Sequence, residues 1–265
     1  MLRAYFDESG THGEAYVTSI AGYVATKTVW DSVKTEWDKE MSYYRERTAI
    51  RTFHLTDCLA GKGEFAGLDE VFRLALTSQL SRVLGRHDVH PVWAAVVVDD
   101  WYEATPEDFR IRYPKPFDLC FEEVVVELWR WATLRSGGEK VSPMFAHQEE
   151  YASGMDAVDR AYRLDTNYRQ LLGPIAFGSP SEVIPLQAAD ILSHEISEDW
   201  RHVLYDTPTL GTVGTRGLLL NATRKNGLVG HGGCYDGPAL SAAIGRFRNF
   251  GSAVGPLPWA ARSAS

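Results

Sequence analysis

The chain has 265 residues, of which 45% are hydrophobic and 23% charged, and its formal net charge is -8. This composition is typical of a soluble globular protein with one domain or two small ones. The acidic balance argues against a protein that coats nucleic acid or an anionic membrane.

The first third of the chain predicts a strand hairpin followed by helices. Residues 2–6 are apolar and aromatic and stop at a turn, which predicts a buried strand, and residues 16–25 predict its antiparallel partner. Apolar residues at helical spacing predict a helix from Thr28, as its cap, to about Tyr44. Residues 52–55 predict a short strand or extended stretch, and residues 68–84 an amphipathic helix.

The rest of the chain alternates strands with helices. The predicted strands are residues 91–98, 141–146 and 173–177, and the predicted helices are residues 117–134, 155–164, 185–204 and 240–247. Early strands joined by a turn, followed by strands alternating with helices, indicate an α/β fold with a mixed sheet flanked by helices.

Acidic pairs follow three of the predicted strands. They are Asp7-Glu8, Asp99-Asp100 and Glu149-Glu150. Active sites in open α/β sheets form at strand ends. Because neighbouring residues on a strand point to opposite faces, we expect Asp7 to point inward and Glu8 to be a second ligand or to support it.

A fourth acid, Asp190, lies near the start of the late helix, in an otherwise apolar segment. Gln187, Asp190 and His194 share one face of that helix. A buried aspartate needs a cation, a helix terminus or hydrogen bonds. A solvated carboxylate is the simpler interpretation of Asp99 and Asp100, whereas we favour a functional role for Asp7 and Asp190.

Three short motifs of this chain resemble the DUF3800 family. They are Tyr5-Phe6-Asp7-Glu8-Ser9-Gly10, Phe53-His54-Leu55-Thr56-Asp57 and Pro185-Leu186-Gln187-Ala188-Ala189-Asp190. The resemblance spans about residues 2–204 and implies a ribonuclease H-like fold, related to retroviral integrases and RuvC-type resolvases. It also implies a divalent-metal nuclease or a relative of one. The catalytic residues that it implies are Asp7, Glu8, His54, Gln187 and Asp190.

In a ribonuclease H-like site, acids from the first strand, a middle strand and the last helix converge on metal ions. The resemblance thus implies two Mg²⁺ or Mn²⁺ ions held by Asp7, Glu149 and Asp190. Glu150 and Asp99 remain alternatives for the middle acid, because no motif distinguishes the three. Two such ions promote phosphodiester hydrolysis. His54 or His194 could carry a proton, and Gln187 could orient Asp190 or contact a phosphate.

Charge is unevenly distributed along the chain. Residues 1–200 contain 20 basic and 33 acidic residues, whereas residues 201–265 contain 7 basic and 2 acidic ones. We predict a ribonuclease H-like domain over residues 1–205 and a Gly-rich, loop-rich basic extension over residues 206–265, packed on it. The basic residues that could follow a phosphate backbone are Arg216, Arg224, Lys225, Arg246 and Arg248. A basic tail that merely packs on an acidic body is an equal alternative.

The predicted function is a metal-dependent nuclease that acts on RNA or structured nucleic acid. The alternative is a non-catalytic binding or effector protein with the same fold. Three widely spaced cysteines fit no disulfide framework, and no signal peptide or long apolar run occurs, which predicts a cytoplasmic protein without a membrane partner. Trp129 and Trp131 lie on adjacent helix faces, where one small core cannot bury both, so a homodimer is a further prediction.

Overall fold

The computed structural model describes residues 1–11, 15–147, 166–205 and 231–251. The strands are β1 (Leu2–Ser9), β2 (Val17–Thr26), β3 (His90–Val97), β4 (Val141–Ala146), β5 (Ala176–Gly178) and β6 (His231–Tyr235). The helices are α1 (Lys27–Arg45), α2 (Leu55–Ala60), α3 (Glu70–Arg86), α4 (Val98–Ala104), α5 (Glu107–Arg112), α6 (Pro116–Arg135), α7 (Thr166–Leu171), α8 (Ile184–Tyr205) and α9 (Gly237–Gly251). A 3-10 turn covers Gly63–Phe65.

The strands form one mixed sheet in the order β5-β4-β1-β2-β3-β6. β2 runs antiparallel to both of its neighbours, and the other neighbouring pairs are parallel. All strands except β2 therefore end at the same edge of the sheet. The predicted α/β class with a mixed sheet flanked by helices is confirmed, and the arrangement is compatible with a ribonuclease H-like fold.

The hairpin of β1 and β2 depends on a glycine. Gly10 has a φ of 72°, and a Cβ there would lie 1.9 Å from the carbonyl oxygen of Val17. Only glycine tolerates both the left-handed conformation and this close approach. The hydroxyl of Thr18 donates to the carbonyl of Gly10 at 2.9 Å. Gly10 follows β1 directly, so Asp7 and Glu8 lie within the last three residues of the strand.

Hydrophobic cores lie on both faces of the sheet. On one face, α6 packs with α4, α5 and α9 against β1, β2, β3 and β4, around side chains that include Phe6, Phe121 and Phe145. On the other face, α1, α2, α3 and α8 pack around Trp30 and Trp37. Burial of large aromatic and aliphatic side chains on both faces is the main stabilising contribution to this three-layer arrangement.

Helix α8 lies close against the ends of β1 and β2 because the contact is made by small residues. The hydroxyl of Ser19 donates to the carbonyl of Ser193 at 2.8 Å, and the hydroxyl of Ser197 donates to the carbonyl of Val17 at 3.1 Å. The hydroxyl of Ser193 donates in turn to the carbonyl of Glu8 at 3.3 Å. These bonds fix α8 across the strand ends.

Local hydrogen bonds explain where the predicted elements and the structure differ. Helix α1 is capped by Thr26, not Thr28, since the Thr26 side chain accepts the N–H of Val29. Of the short strand or extended stretch predicted over residues 52–55, the structure has no strand but an extended backbone at His54, and helix α2 begins at Leu55. Asp99 and Asp100 lie in the first turn of α4, where Asp100 accepts the N–H of Gly237 at 2.7 Å.

Strand β6 has no counterpart among the predicted elements. Two of its five residues are glycines, which are depleted in strands, so its composition gives no strand signal. β6 and α9 belong to the predicted C-terminal extension, and β6 pairs with β3 in the main sheet. The helix predicted over residues 155–164 lies outside the described residues, as do residues 206–230.

Helix α6 accommodates both of its tryptophans better than the sequence suggests. Trp131 is buried, and Trp129 is partly buried against the same core. Because this core takes up both side chains, neither tryptophan supports the predicted homodimer, which stays a prediction. Within the described part of the chain, no helix combines the length and the apolar character needed to cross a bilayer.

Leu128 and Leu134 on α6 test the packing of the sheet's first face. Leu128 is fully buried, whereas Leu134 is 70% exposed. We expect Leu128→Ala to lower the free energy of unfolding by about 2–5 kcal/mol, because it leaves a cavity, and Leu134→Ala to change it by less than about 0.5 kcal/mol. Chemical denaturation measures both, and equal losses would contradict the placement of α6.

Candidate carboxylate site

Two buried aspartates meet where β1 ends beside α8. Asp7 is 8% exposed and Asp190 is 5% exposed. Asp7 lies on the same face of β1 as Tyr5, and its partner across the hairpin is Ala21. Both of these residues pack in the core that contains α8. Strand alternation thus points Asp7 toward α8, as predicted.

The environment of Asp7 disfavours its charged form. Burial is the largest cause that raises the pKa of Asp7 well above its ordinary value, followed by the negative charges of Glu8 and Asp190. A hydrogen bond with the Glu8 side chain raises this pKa further, and the Glu8 N–H, which donates to Oδ1 of Asp7 at 2.9 Å, lowers it. Glu8 thus acts on the same centre, although its neighbour Asp7 occupies the inward position.

The environment of Asp190 also disfavours its charged form. Burial raises its pKa to about 6, against the opposing effects of His54 and of the Leu55 N–H, which donates to Oδ2 at 2.7 Å. The charges of Glu8 and Asp57 raise the pKa of Asp190 further. Within the described residues, no lysine or arginine forms an ion pair with Asp7 or Asp190. The two carboxylates therefore form a buried centre with excess negative charge.

Helix α8 holds the segment around His54 through the Gln-x-x-Asp motif. Gln187 Oε1 accepts the N–H of Phe53 at 3.2 Å, and Asp190 accepts the N–H of Leu55. Gln187 and Asp190 lie one turn apart on the same side of α8. One turn of this helix therefore accepts two N–H groups that are two residues apart in the segment.

The carboxamide of Gln187 is occupied inside the protein. Oε1 also accepts the indole N–H of Trp37 at 3.2 Å, and Nε2 donates to the carbonyl of Pro180 at 2.7 Å. Gln187 is only 2% exposed. The role that the resemblance suggests for it, contact with a phosphate, does not match this burial, and the side chain anchors Phe53 instead.

His54 lies between the buried acids and solvent. Its Nε2 is 4.0 Å from Oδ1 of Asp190, and its Nδ1 is 3.3 Å from Oδ2 of Asp57. The side chains of His54 and Asp57 are both about half exposed. Asp57 belongs to the second motif but is not among the predicted site residues. Its only signal is its spacing of three residues from His54.

His194 follows Asp190 by one helical turn, and its surroundings keep the imidazole neutral. Burial lowers its pKa, and the positive charges of Arg201 and His54 act in the same direction, whereas Glu198 opposes them. Its Nδ1 is buried without a hydrogen-bond partner among the described residues. His194 is thus close enough to His54 for their charges to interact.

The remaining predicted residues are not brought to this centre by the described structure. Glu149 and Glu150 lie outside the described residues, although β4 runs parallel to β1 with Phe145 level with Phe6. Asp99 lies beyond β3, two strands from β1.

Two of the five predicted nucleic-acid-binding residues lie on α9, and the other three lie outside the described residues. Arg246 and Arg248 belong to α9, which packs through Leu240 on the face of the sheet opposite α8. Arg216, Arg224 and Lys225 lie outside the described residues. The structure therefore does not bring α9 to the carboxylate pair.

Comparison with known proteins adds no relative. No protein-family model matches the sequence, and no curated protein is significantly similar to it. The resemblance to the DUF3800 family thus rests on the three motifs alone.

The carboxylate pair has donors that suit a hard divalent cation. Among the described residues, no group of three or more His, Cys, Asp or Glu side chains is arranged to hold a metal ion. Mg²⁺, however, commonly takes only one or two protein carboxylates and completes its shell with water and substrate phosphate oxygens. Asp7 and Asp190 supply such a pair, and their mutual repulsion favours a bound cation.

The raised pKa of Asp190 makes stability depend on pH. An acid whose pKa folding raises binds its proton more tightly in the folded state, so it stabilises the fold at low pH, and this stabilisation is lost as pH rises through the folded pKa. The free energy of unfolding should fall between about pH 4 and about pH 6, by on the order of 3 kcal/mol from Asp190. Urea denaturation across this range measures the change.

Asp190→Asn removes the ionisation and keeps an oxygen that can accept the N–H of Leu55. We expect a smaller fall with pH and a protein more stable than the wild type above pH 6. The matched control is Asp88→Asn, at a carboxylate that is 74% exposed and lies 3.7 Å from Nε2 of His90, where the loss of an exposed ion pair should change the free energy of unfolding by less than about 1 kcal/mol at any pH. A wild-type profile in Asp190→Asn would contradict the burial described for this carboxylate.

Proposed function

We propose that the protein is a divalent-metal-dependent nuclease that hydrolyses phosphodiester bonds of RNA or structured nucleic acid. The observation that carries this proposal is the convergence of Asp7 and Asp190 from β1 and α8 in a buried centre with excess negative charge. Burial and neighbouring negative charges raise the pKa of both carboxyl groups, so the fold disfavours their ionised forms. A bound cation would favour the ionised forms, and two acids held in this way are more typical of a functional site than of a structural one.

The reaction needs a cation at the carboxylates and a route for protons. Mg²⁺ or Mn²⁺ would activate a water molecule and stabilise the leaving oxygen of an in-line displacement. Asp7 and Asp190 would hold the cation, with Glu8 beside them. Glu149 is the proposed middle acid. Because the folded protein already holds the two carboxylates together, these side chains need no reorganisation when a substrate arrives.

His54 is placed to move a proton between this centre and solvent. It lies at the exposed side of Asp190, and the Asp57 carboxylate faces its Nδ1. A carboxylate at Nδ1 fixes the ring orientation and favours a proton on that nitrogen, which leaves Nε2 facing the acids. His54 would therefore exchange a proton with the attacking water or the leaving group.

The proposed location of this activity is the cytoplasm. Cys58, Cys120 and Cys234 are free thiols, and the first two are buried. Free thiols are typical of a reducing compartment. Nucleic acid would approach through Arg216, Arg224 and Lys225 of the C-terminal extension, whose positive charge complements a phosphate backbone, whereas Arg246 and Arg248 belong to α9 on the face of the sheet opposite α8.

The decisive variants are Asp7→Asn and Asp190→Asn. Each should reduce Mn²⁺-dependent cleavage of a labelled RNA hairpin at least about a thousandfold, since each removes a charge that holds the cation. Both proteins should remain folded, because asparagine is isosteric with aspartate. Asp88→Asn, at an exposed carboxylate, should cleave like the wild type.

The proposal fails if both variants cleave like the wild type, because the activity would then belong to another site or to a contaminant. It also fails if the wild type cleaves neither RNA nor DNA hairpins and its melting temperature does not respond to Mn²⁺. A melting shift that needs both aspartates, without cleavage, would favour the non-catalytic effector instead. Melting curves with and without Mn²⁺ complete the experiment.

The middle acid is tested separately. Single variants Glu149→Gln, Glu150→Gln and Asp99→Asn are compared in the same cleavage assay. We expect Glu149→Gln to lose activity about as strongly as Asp7→Asn, and the other two to retain most of it. Loss of activity in Asp99→Asn with an active Glu149→Gln would show that Glu149 is not the middle acid.

A further inference from the structure

Gln187 sits at the centre of a buried hydrogen-bond network one turn before Asp190. Its Oε1 accepts from the indole of Trp37 and from the N–H of Phe53, both at 3.2 Å, and its Nε2 donates to the carbonyl of Pro180 at 2.7 Å. A carboxamide that is buried and bonded at both ends has little rotational freedom. Loss of any partner would leave a buried polar atom unsatisfied, which is costly.

Aromatic packing reinforces the same contact. The rings of Trp37 and Phe53 pack edge to face with centroids 6.1 Å apart, and the rings of Phe53 and Phe65 do so at 6.2 Å. Such arrangements are favoured by the ring quadrupoles. Phe53 is thus fixed through its ring as well as through its N–H.

His54 lies between two anchored residues. Phe53 is bound to Gln187 and Leu55 is bound to Asp190, so the extended backbone at His54 has no freedom to rotate its side chain away by a peptide flip. From this backbone position, Nε2 of the imidazole lies 4.0 Å from Oδ1 of Asp190. The bond from the Leu55 N–H goes to Asp190, which belongs to the carboxylate pair. The bond from the Phe53 N–H goes to Gln187, which does not belong to it.

We propose that Gln187, held in place by Trp37, is a positioning residue that sets His54 and the Leu55 N–H against Asp190. Its role is to fix the geometry of the segment, without contact with substrate or cation. Its catalytic consequence rests on the proposed nuclease function, whereas the positioning itself is measurable without substrate.

The experiment compares three variants of the full chain. Gln187→Met keeps the size of the side chain and removes its polar atoms. Gln187→Asn keeps the carboxamide but moves it back toward the helix by one methylene. This variant replaces Gln187→Met in both measurements if Gln187→Met does not fold. Leu128→Ala on α6 is the matched control, because it should destabilise the protein from the other face of the sheet.

The first readout is the amide signals of Phe53 and Leu55 in two-dimensional ¹H–¹⁵N spectra, with the ring signals of His54. Loss of the anchor should shift both amide protons upfield and accelerate hydrogen exchange at Leu55 about tenfold, as expected for a weakened hydrogen bond. Leu128→Ala should lower the melting temperature and leave the signals of all three residues unchanged.

The second readout is cleavage. In Gln187→Asn, kcat should fall roughly 10–100-fold while KM changes less than about threefold, because the displaced group acts in the reaction and not in binding. A purely structural role would give an unmoved Leu55 amide, together with cleavage that falls only as far as in Leu128→Ala. That result would overturn the proposal.

The two readouts separate this proposal from the proposed function. Spectral changes at Leu55 and His54 without cleavage by the wild type would support positioning and reject the nuclease. Unchanged spectra, together with cleavage that depends on Asp7, would reject positioning and leave the nuclease in place.

Discussion

The repulsion between two desolvated carboxylates is the constraint on which the rest of this structure depends. Asp7 and Asp190 are more than 180 residues apart in the sequence. Burial disfavours the charged form of each, and the charge of Asp190 disfavours that of Asp7 further. A fold that holds them together must compensate elsewhere. The compensation comes from two hydrophobic cores and from the serine hydroxyls that bind α8 to the ends of β1 and β2.

The parts that the sequence predicts well are those with a regular period and a clear boundary. β4 appears over the predicted residues, and α6 and α8 begin within one residue of their predicted starts, because apolar periodicity and proline mark them. Asp7 and Asp190 could be paired in advance, since both are attached to apolar segments that require burial. Local pattern and global fold agree at these positions.

The parts that the sequence could not supply depend on contacts between distant segments. The segment at Phe53 and His54 has an extended pattern, yet its conformation is set by two acceptors on a helix more than a hundred residues later. The role of Gln187 follows from three partners that no local pattern relates to it. β6 could not be predicted because two of its five residues are glycines, which have poor strand propensity. Its pairing with β3 compensates for this poor propensity in the folded protein.

The connection between β2 and β3 has a consequence for how such a protein could diversify. β2 ends at Thr26 and β3 begins at His90, and these adjacent antiparallel strands could be joined by a tight turn. Instead, the chain leaves the sheet after β2 and forms α1, α2 and α3 over residues 27–89. It then re-enters the sheet next to β2 as β3. His54 and Trp37 lie within residues 27–89, whereas Asp7 lies on β1 and Asp190 on α8. Evolution could therefore exchange this segment as a module, and with it the side chains that face Asp190, while Asp7 and Asp190 stay as they are.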